Sequence, residues 1–201
     1  MERLTWKLPG RVWAADFTQA DAPIDAAYPY ILSLRDLASF YQLLSWPVRQ
    51  ADANATVCAL TYPFAAYGPP LVLKTDNGSH FTEGHVGKLP SAPGVTVLLS
   101  PPNTPRYNGS EEAGIGSLKT RALHIAAAQG RADHWTCDDV EAARIEANRP
   151  DCCRPLFPCA NENHEATDRA GIAVARMDTL ARAHRHYQHR MVDASRWRRF
   201  L

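Results

Sequence analysis

The sequence predicts an α/β domain in which a five-stranded mixed sheet is flanked by helices and followed by a helical extension. Three observations carry this. Three short apolar segments follow one another closely, as in an antiparallel meander. A fourth, Leu71 to Thr75, is apolar except for one lysine, as expected of a central strand covered on both faces. Helical segments then alternate with the remaining strand to give the order β-β-β-α-β-α-β-α.

The first strand spans Arg11 to Thr18 and follows the punctuation Leu8-Pro9-Gly10; it carries an aspartate, Asp16, among apolar residues. Tyr30 to Leu37 and Phe40 to Val48 are the second and third strands, joined by Ala38-Ser39. Asp52 to Ala66 is helical, with Pro63 expected to end or kink it and Gly68-Pro69-Pro70 to stop it. The fourth strand, Leu71 to Thr75, runs directly into Asp76-Asn77-Gly78-Ser79.

A short helix is expected over Glu83 to Leu89, a turn at Ser91 to Gly94, and a fifth strand at Val95 to Leu99. The proline-rich loop from Ser100 to Gly109 precedes a helix from Ser110 to Gln129, with Ser110 as its N-cap and Gly130 at its end. Thr136 caps a further helix to Asn148. Residues 1–150 are read as the core. Residues 151–201 are read as an irregular connector rich in Pro and Cys, followed by a long helix from Glu165 to Arg199 with apolar positions at Ile172, Val174, Met177 and Leu180.

The bulk properties narrow the class. At 201 residues and 45% hydrophobic, the chain can build a core. It has no apolar run of membrane-spanning length and no secretory signal, which points to the cytoplasm. Five cysteines are an odd set at irregular spacing, so reduced thiols are expected. Cys152, Cys153, Cys159 and His164 do not form the separated pairs of a zinc site. The net charge of +1 does not mark a nucleic-acid binder. Arg182 to Arg199, however, holds six arginines and three histidines against Asp193 alone, which fits either a solvated helical face or a contact with DNA or a partner.

Asp16 lies within the first strand, Asp76 at the end of the fourth, and Glu112 in the first turn of the helix after the fifth. Each alone has an ordinary explanation: a paired aspartate, a turn, a helix start favouring negative charge. Together they suggest a site. A carboxylate inside a strand is costly unless paired or bound to metal, and ligands that are oxygen alone suit Mg²⁺ or Mn²⁺ completed by phosphate. Two such ions would serve an in-line displacement at phosphorus.

The segments around these acids carry a resemblance. VWAADFT resembles the first catalytic-aspartate strand of retroviral integrase cores and bacterial insertion-sequence transposases, LVLKTDNGSHF resembles their second aspartate motif, and SPPNTPRYNGSEEAGIGSLKTRA resembles the third. Thirty-five residues separate Asp76 from Glu112, the D,D(35)E spacing of that family. The resemblance implies a ribonuclease H-like fold and DNA strand transfer by two divalent ions held by Asp16, Asp76 and Glu112. Within the family pattern the glutamate stands four residues after Asn108 and six before Leu118-Lys119, which selects Glu112 and leaves Glu111 as a solvent-facing neighbour.

The same resemblance implies DNA contacts by Lys119 and Arg121, with Lys119 two turns from Glu112 on its face, and a positioning role for Asn108. His80 stands where a polar residue could touch the scissile phosphate, against the plainer reading of a loop histidine. Ala113, Gly114, Ile115 and Gly116 depart from the bulky residues of relatives, and the two glycines are expected to weaken the helix.

The implied partners are mobile-element ends and target DNA, a second copy of the chain, and a DNA-recognition domain or subunit, since the first catalytic strand begins at residue 11. A truncated or split transposase of the bacterial nucleoid is the expected setting. Two alternatives stay open: a nuclease of the same fold without strand transfer, and a non-catalytic DNA-associated fragment.

Overall fold

A computed structural model describes residues 6–76, 78, 81, 94–100, 109–132 and 134–149. The expected helix at 83–89, the connector with Cys152, Cys153 and Cys159, and the basic terminal helix lie outside the described residues, as do Asn108 and His80. The described residues all fall within one compact unit, Met1–Cys159.

The first strand, β1 (Val12–Ile24), is longer than the sequence suggests. It pairs antiparallel with β2 (Tyr28–Asp36), which pairs antiparallel with β3 (Gln42–Val48). On its other side β1 pairs in parallel with β4 (Val72–Thr75), which pairs in parallel with β5 (Thr96–Leu99). The order is β3-β2-β1-β4-β5, the five-stranded mixed sheet of the ribonuclease H-like fold.

The extra length of β1 comes from residues that look like loop. Gln19, Asp21 and Pro23 are exposed while Ala20 and Ile24 are buried, so the strand alternation continues across a register shift between Gln19 and Ile24. Ala27 N donates to Ile24 O at 3.0 Å around Asp25 and Ala26, whose φ angles of 50° and 55° make a type I′ turn.

Helix α1 (Ala53–Tyr67) starts at Asp52, whose carboxylate accepts from Ala55 N at 2.8 Å. Of the two expectations for Pro63, ending the helix is excluded: α1 runs through it to Tyr67, with Pro63 buried and Gly68 at φ 77° closing the helix as expected. One lost backbone bond is tolerated because the flanking Leu60 and Phe64 bury their side chains in the sheet. Helix α2 (Gly109–Ala128) begins one residue earlier than expected, so Ser110 is a helical residue and not its cap. Helix α3 (Cys137–Ala147) is capped by Thr136 in a reciprocal capping box with Asp139.

Alternation along the strands divides the core in two. Trp13, Ala15, Leu32, Leu34 and Leu73 pack with Leu60 and Phe64 of α1 on one face. Ala20, Ile24 and Ile31 pack with Leu118, Ala122 and Ala126 of α2 and with Trp135, Val140 and Ala143 on the other. Position 16 has the parity of Ala14 and Ala20, which places Asp16 on the face covered by α2.

Candidate active site

Register brings the two aspartates alongside. Ala15 of β1 pairs with Thr75 of β4 in parallel, so Asp16 and Asp76 are the next residues on strands about 4.8 Å apart. Two described residues beyond β4, Gly78 and Phe81, contact this place. Asp76 Oδ1 accepts from Gly78 N at 2.9 Å, and Phe81, fully buried, stacks at 5.4 Å between centroids on Phe17, the neighbour of Asp16. The carbonyl of Thr75 accepts from both N and Oγ of Ser100 at 2.9 Å, tying the end of β4 to the end of β5.

Helix α2 supplies the third acid. Glu112 is exposed in its first turn. The Asp16 carboxyl is pushed up to about 6, first by burial, then by the charge of Asp76, and also by that of Glu112, while a backbone hydrogen bond from Phe17 works against the rise. Among the described residues no three His, Cys, Asp and Glu side chains are drawn into a closed metal cage. Asp16 and Asp76 adjoin through sheet register, and the charge of Glu112 is felt at Asp16. The donor set is oxygen alone and carries concentrated negative charge, which fits hard divalent ions.

The expectation that Glu111 faces solvent is overturned. Glu111 is 3% exposed and accepts a 2.7 Å hydrogen bond from Ser33 Oγ on β2. Burial raises its carboxyl to about 7, with Asp16 adding to the rise and the Ser33 hydrogen bond, Arg35 and Lys74 opposing it. The signal was in the sequence: Glu111 stands four, seven and eleven residues before Ile115, Leu118 and Ala122, on the buried stripe of α2. Lys74, the one charged residue of β4, is buried on the same side, and burial lowers its pKa.

The expected DNA-contacting residues divide. Lys119 is on the Glu112 face and is bonded to Asp21 at 3.2 Å and to the carbonyl of Gln19 on β1. Arg121, nine residues from Glu112, is about 180° around the helix and forms an ion pair with Glu146 of α3 at 3.4 Å. It lines a cleft of about 370 Å³ with Arg35, Gln42, Ser110, Gly114 and Ser117, on the side of α2 turned away from Glu112.

Gly114 lies beneath Arg35, whose Nη1 donates to Ser110 O at 3.1 Å. One of the two glycines expected only to weaken α2 is thus accounted for by packing.

The described domain has the fold of retroviral integrase catalytic cores. The solved structures it is similar to include the human T-cell lymphotropic virus 2 (HTLV-2) integrase catalytic core domain in complex with magnesium, in its dimeric form. That likeness has a TM-score of 0.56 at 17% identity and covers 71% of this chain and 88% of that one. The bovine immunodeficiency virus (BIV) integrase catalytic core is similar at a TM-score of 0.52 and 21% identity, covering 70% and 84% of the two chains. A chain of the simian T-cell lymphotropic virus intasome, solved with the PP2A regulatory subunit B56 gamma, is similar at 0.60 and 18% identity. There, 74% of this chain matches 51% of the other, so this chain spans about half its length. No protein-family model and no curated protein matches the chain.

Proposed function

We propose that this chain is the catalytic core of a DNA strand-transfer enzyme of the transposase and integrase type, with Asp16, Asp76 and Glu112 as its catalytic acids. The observation that carries the reading is the parallel pairing of Ala15 with Thr75, which sets Asp16 of β1 beside Asp76 just past β4, with the charges of Asp76 and Glu112 both felt at the Asp16 carboxyl. Carboxylates from three distant segments then influence one another, in a fold that retroviral integrase cores share, which supports one common site. The core is assigned to residues 1–150 and the remainder to a basic extension.

Asp16 and Asp76 would hold divalent ions from adjacent strands, and Glu112 would complete the set from α2. When bound, Mg²⁺ or Mn²⁺ supplies activation of a water or 3′-hydroxyl and stabilisation of the leaving oxygen at phosphorus. The protein's own part is geometric. The sheet register sets the spacing of the aspartates, Phe81 packs on Phe17 beside Asp16, and burial of Asp16 keeps water from screening the negative charge that an ion would neutralise. Lys119 and Arg121 are assigned to DNA contacts, with Lys119 nearer the acids, and Asn108 and His80 to the loops beside the substrate. Mobile-element ends and target DNA are the proposed substrates, and a homo-oligomer with a separate recognition domain the proposed assembly.

The test is Mn²⁺-dependent nicking and strand transfer on duplex oligonucleotides by wild type and Asp76→Asn. The expected result is product with wild type and a loss of at least about a hundredfold with the variant. Equal inertness of both across varied DNA ends would overturn the enzymatic reading. Nicking without joined product would favour the nuclease of the same fold.

A further inference from the structure

We propose that Glu111 is a positioning residue: it ends a buried chain of hydrogen bonds running from Asn148 through Gln42 and Ser33, and this chain sets the direction in which Glu112 leaves α2. The inference rests on the functional reading of Glu112 given above.

The chain of bonds is continuous from the end of α3 across two strands, β3 and β2, to α2. Asn148, just past α3, accepts from Gln42 N through Oδ1 at 2.7 Å and donates through Nδ2 to Gln42 O at 2.9 Å. Arg144 Nη1 donates to the same carbonyl at 3.2 Å. Gln42 Nε2 donates to Ser33 Oγ at 2.7 Å and to Leu44 O at 3.1 Å, and Ser33 Oγ donates to Glu111 Oε1 at 2.7 Å. Ser33, Gln42 and Glu111 are all nearly without solvent exposure.

Ser33 holds a central place in this path. It is the register partner of Asp16 across β1 and β2. One side chain therefore stands opposite the first acid and grips the residue beside the third. Arg35, two positions along β2, fastens Ser110 O in the same turn. Successive helical residues differ in direction by about 100°, so pinning 110 and 111 to β2 determines where 112 points.

The chemistry of the position supports a directional role over simple packing. The other buried residues on this stripe are Ile115, Leu118, Ala122 and Ala126, and a leucine at 111 would bury without cost. A carboxyl there leaves Oε2 buried with no hydrogen-bond partner among the described residues, an arrangement that costs stability. What the carboxyl adds over leucine is a bond of fixed direction to β2.

The experiment measures Mn²⁺-dependent nicking of supercoiled plasmid by the full chain, with kcat and KM separated and folding followed by circular dichroism. Glu111→Gln keeps an acceptor for Ser33, Glu111→Leu keeps volume without one, and Ser33→Ala removes the donor without touching α2. Displacing a reacting group by a fraction of an ångström lowers turnover steeply. Glu111→Leu and Ser33→Ala are therefore expected to lower kcat about tenfold or more with KM for plasmid within about twofold, and Glu111→Gln to stay within about threefold of wild type.

A folded Glu111→Leu that turns over like wild type overturns the proposal. So does a Glu111→Gln as inactive as Glu112→Gln, which would make the charge itself the requirement. Should Glu111→Leu fail to fold, Ser33→Ala decides in the same way. An inert wild type overturns the functional reading and this inference with it, whereas an active wild type with an equally active Ser33→Ala overturns this inference alone.

Discussion

The guanidinium of Arg35 occupies the space that any side chain at Gly114 would take. A methyl group there would overlap Nη1. Arg35 is held in place by bonds from Nη1 to Ser110 O and from Nε to Phe40 O, each 3.1 Å, and lies 5.3 Å from the centroid of the Phe40 ring. The glycine thus admits the side chain that ties β2 to the first turn of α2.

This gives a prediction whose sign depends on background. Alanine at a helix interior is favoured over glycine by about 0.8–1.0 kcal/mol, but hydrogen bonds to a charged group contribute about 1.5–3 kcal/mol. Gly114→Ala is expected to lower stability by about 1 kcal/mol in wild type and to raise it by up to about 1 kcal/mol once Arg35→Ala has emptied the space. Urea unfolding of the four proteins of the cycle measures both. A gain in each background would mean that Arg35 does not occupy this space.

A second prediction concerns Asp16 in metal-free buffer. Its folded pKa of about 6 lies above the ordinary value of 3.8. The contribution of its protonated form is therefore whole below about pH 4 and is lost as pH rises through 6. Relative to Asp16→Asn, wild type is expected to lose on the order of 2 kcal/mol between pH 4 and 7. Millimolar Mg²⁺ or Mn²⁺ is expected to restore wild type and leave the variant little changed. Melting temperatures across pH, with chelator and then with metal, provide the measurement, and a pH-independent difference would count against the crowded site.

The places of the three acids on their elements were legible in the sequence because each sits beside a strong local signal: Asp16 in an apolar strand, Asp76 after a run of buried residues, Glu112 in the first turn of a helix behind a proline-rich loop. The meander and the interior place of the fourth strand in a mixed sheet were legible for the same reason. The inward face of Glu111 was missed because a motif assigns roles by spacing, while burial follows helical phase, which Ile115 and Leu118 reveal. The far end of β1 was missed because its turn, Asp25-Ala26, lacks the glycine that marks a type I′ hairpin. The polar path through Ser33 and Gln42 had no sequence signature, since its partners are brought together only by register and by the packing of α3.

The start of α3 offers a third prediction. Thr136 N and Oγ1 donate to Asp139 Oδ2 at 2.7 and 2.8 Å, and Arg131 grips both oxygens of the same carboxylate at 2.7 and 2.8 Å. Burial works to raise the Asp139 carboxyl, but the bonds from Arg131 and Thr136 outweigh it and hold the group below its ordinary value of 3.8. Its contribution is thus present above about pH 4 and is lost as pH falls through the folded value. Thr136→Ala is expected to cost about 1 kcal/mol. Asp139→Asn is expected to flatten the loss of stability on the acid side, seen as a shallower fall of melting temperature below pH 4.

The β1–β2 hairpin supplies the last prediction, and it runs against the usual direction of a substitution. Ala26 adopts φ 55°, where a Cβ costs about 1–2 kcal/mol. Glycine removes that cost but gains about 0.5–1 kcal/mol of freedom in the unfolded chain, so Ala26→Gly is expected to stabilise by roughly 0.5–1 kcal/mol. The tip is docked by bonds that a change at 26 leaves alone. Asp25 N donates to Trp135 O at 3.2 Å, Asp25 Oδ2 accepts from Cys137 N at 3.1 Å, and Trp135 Nε1 donates to Ala22 O at 2.7 Å. Chemical denaturation of Ala26→Gly checks the gain. Ala26→Val, β-branched at a positive φ, is expected to move stability the opposite way by 1 kcal/mol or more. If glycine and valine shift the midpoint alike, the tip does not hold this turn.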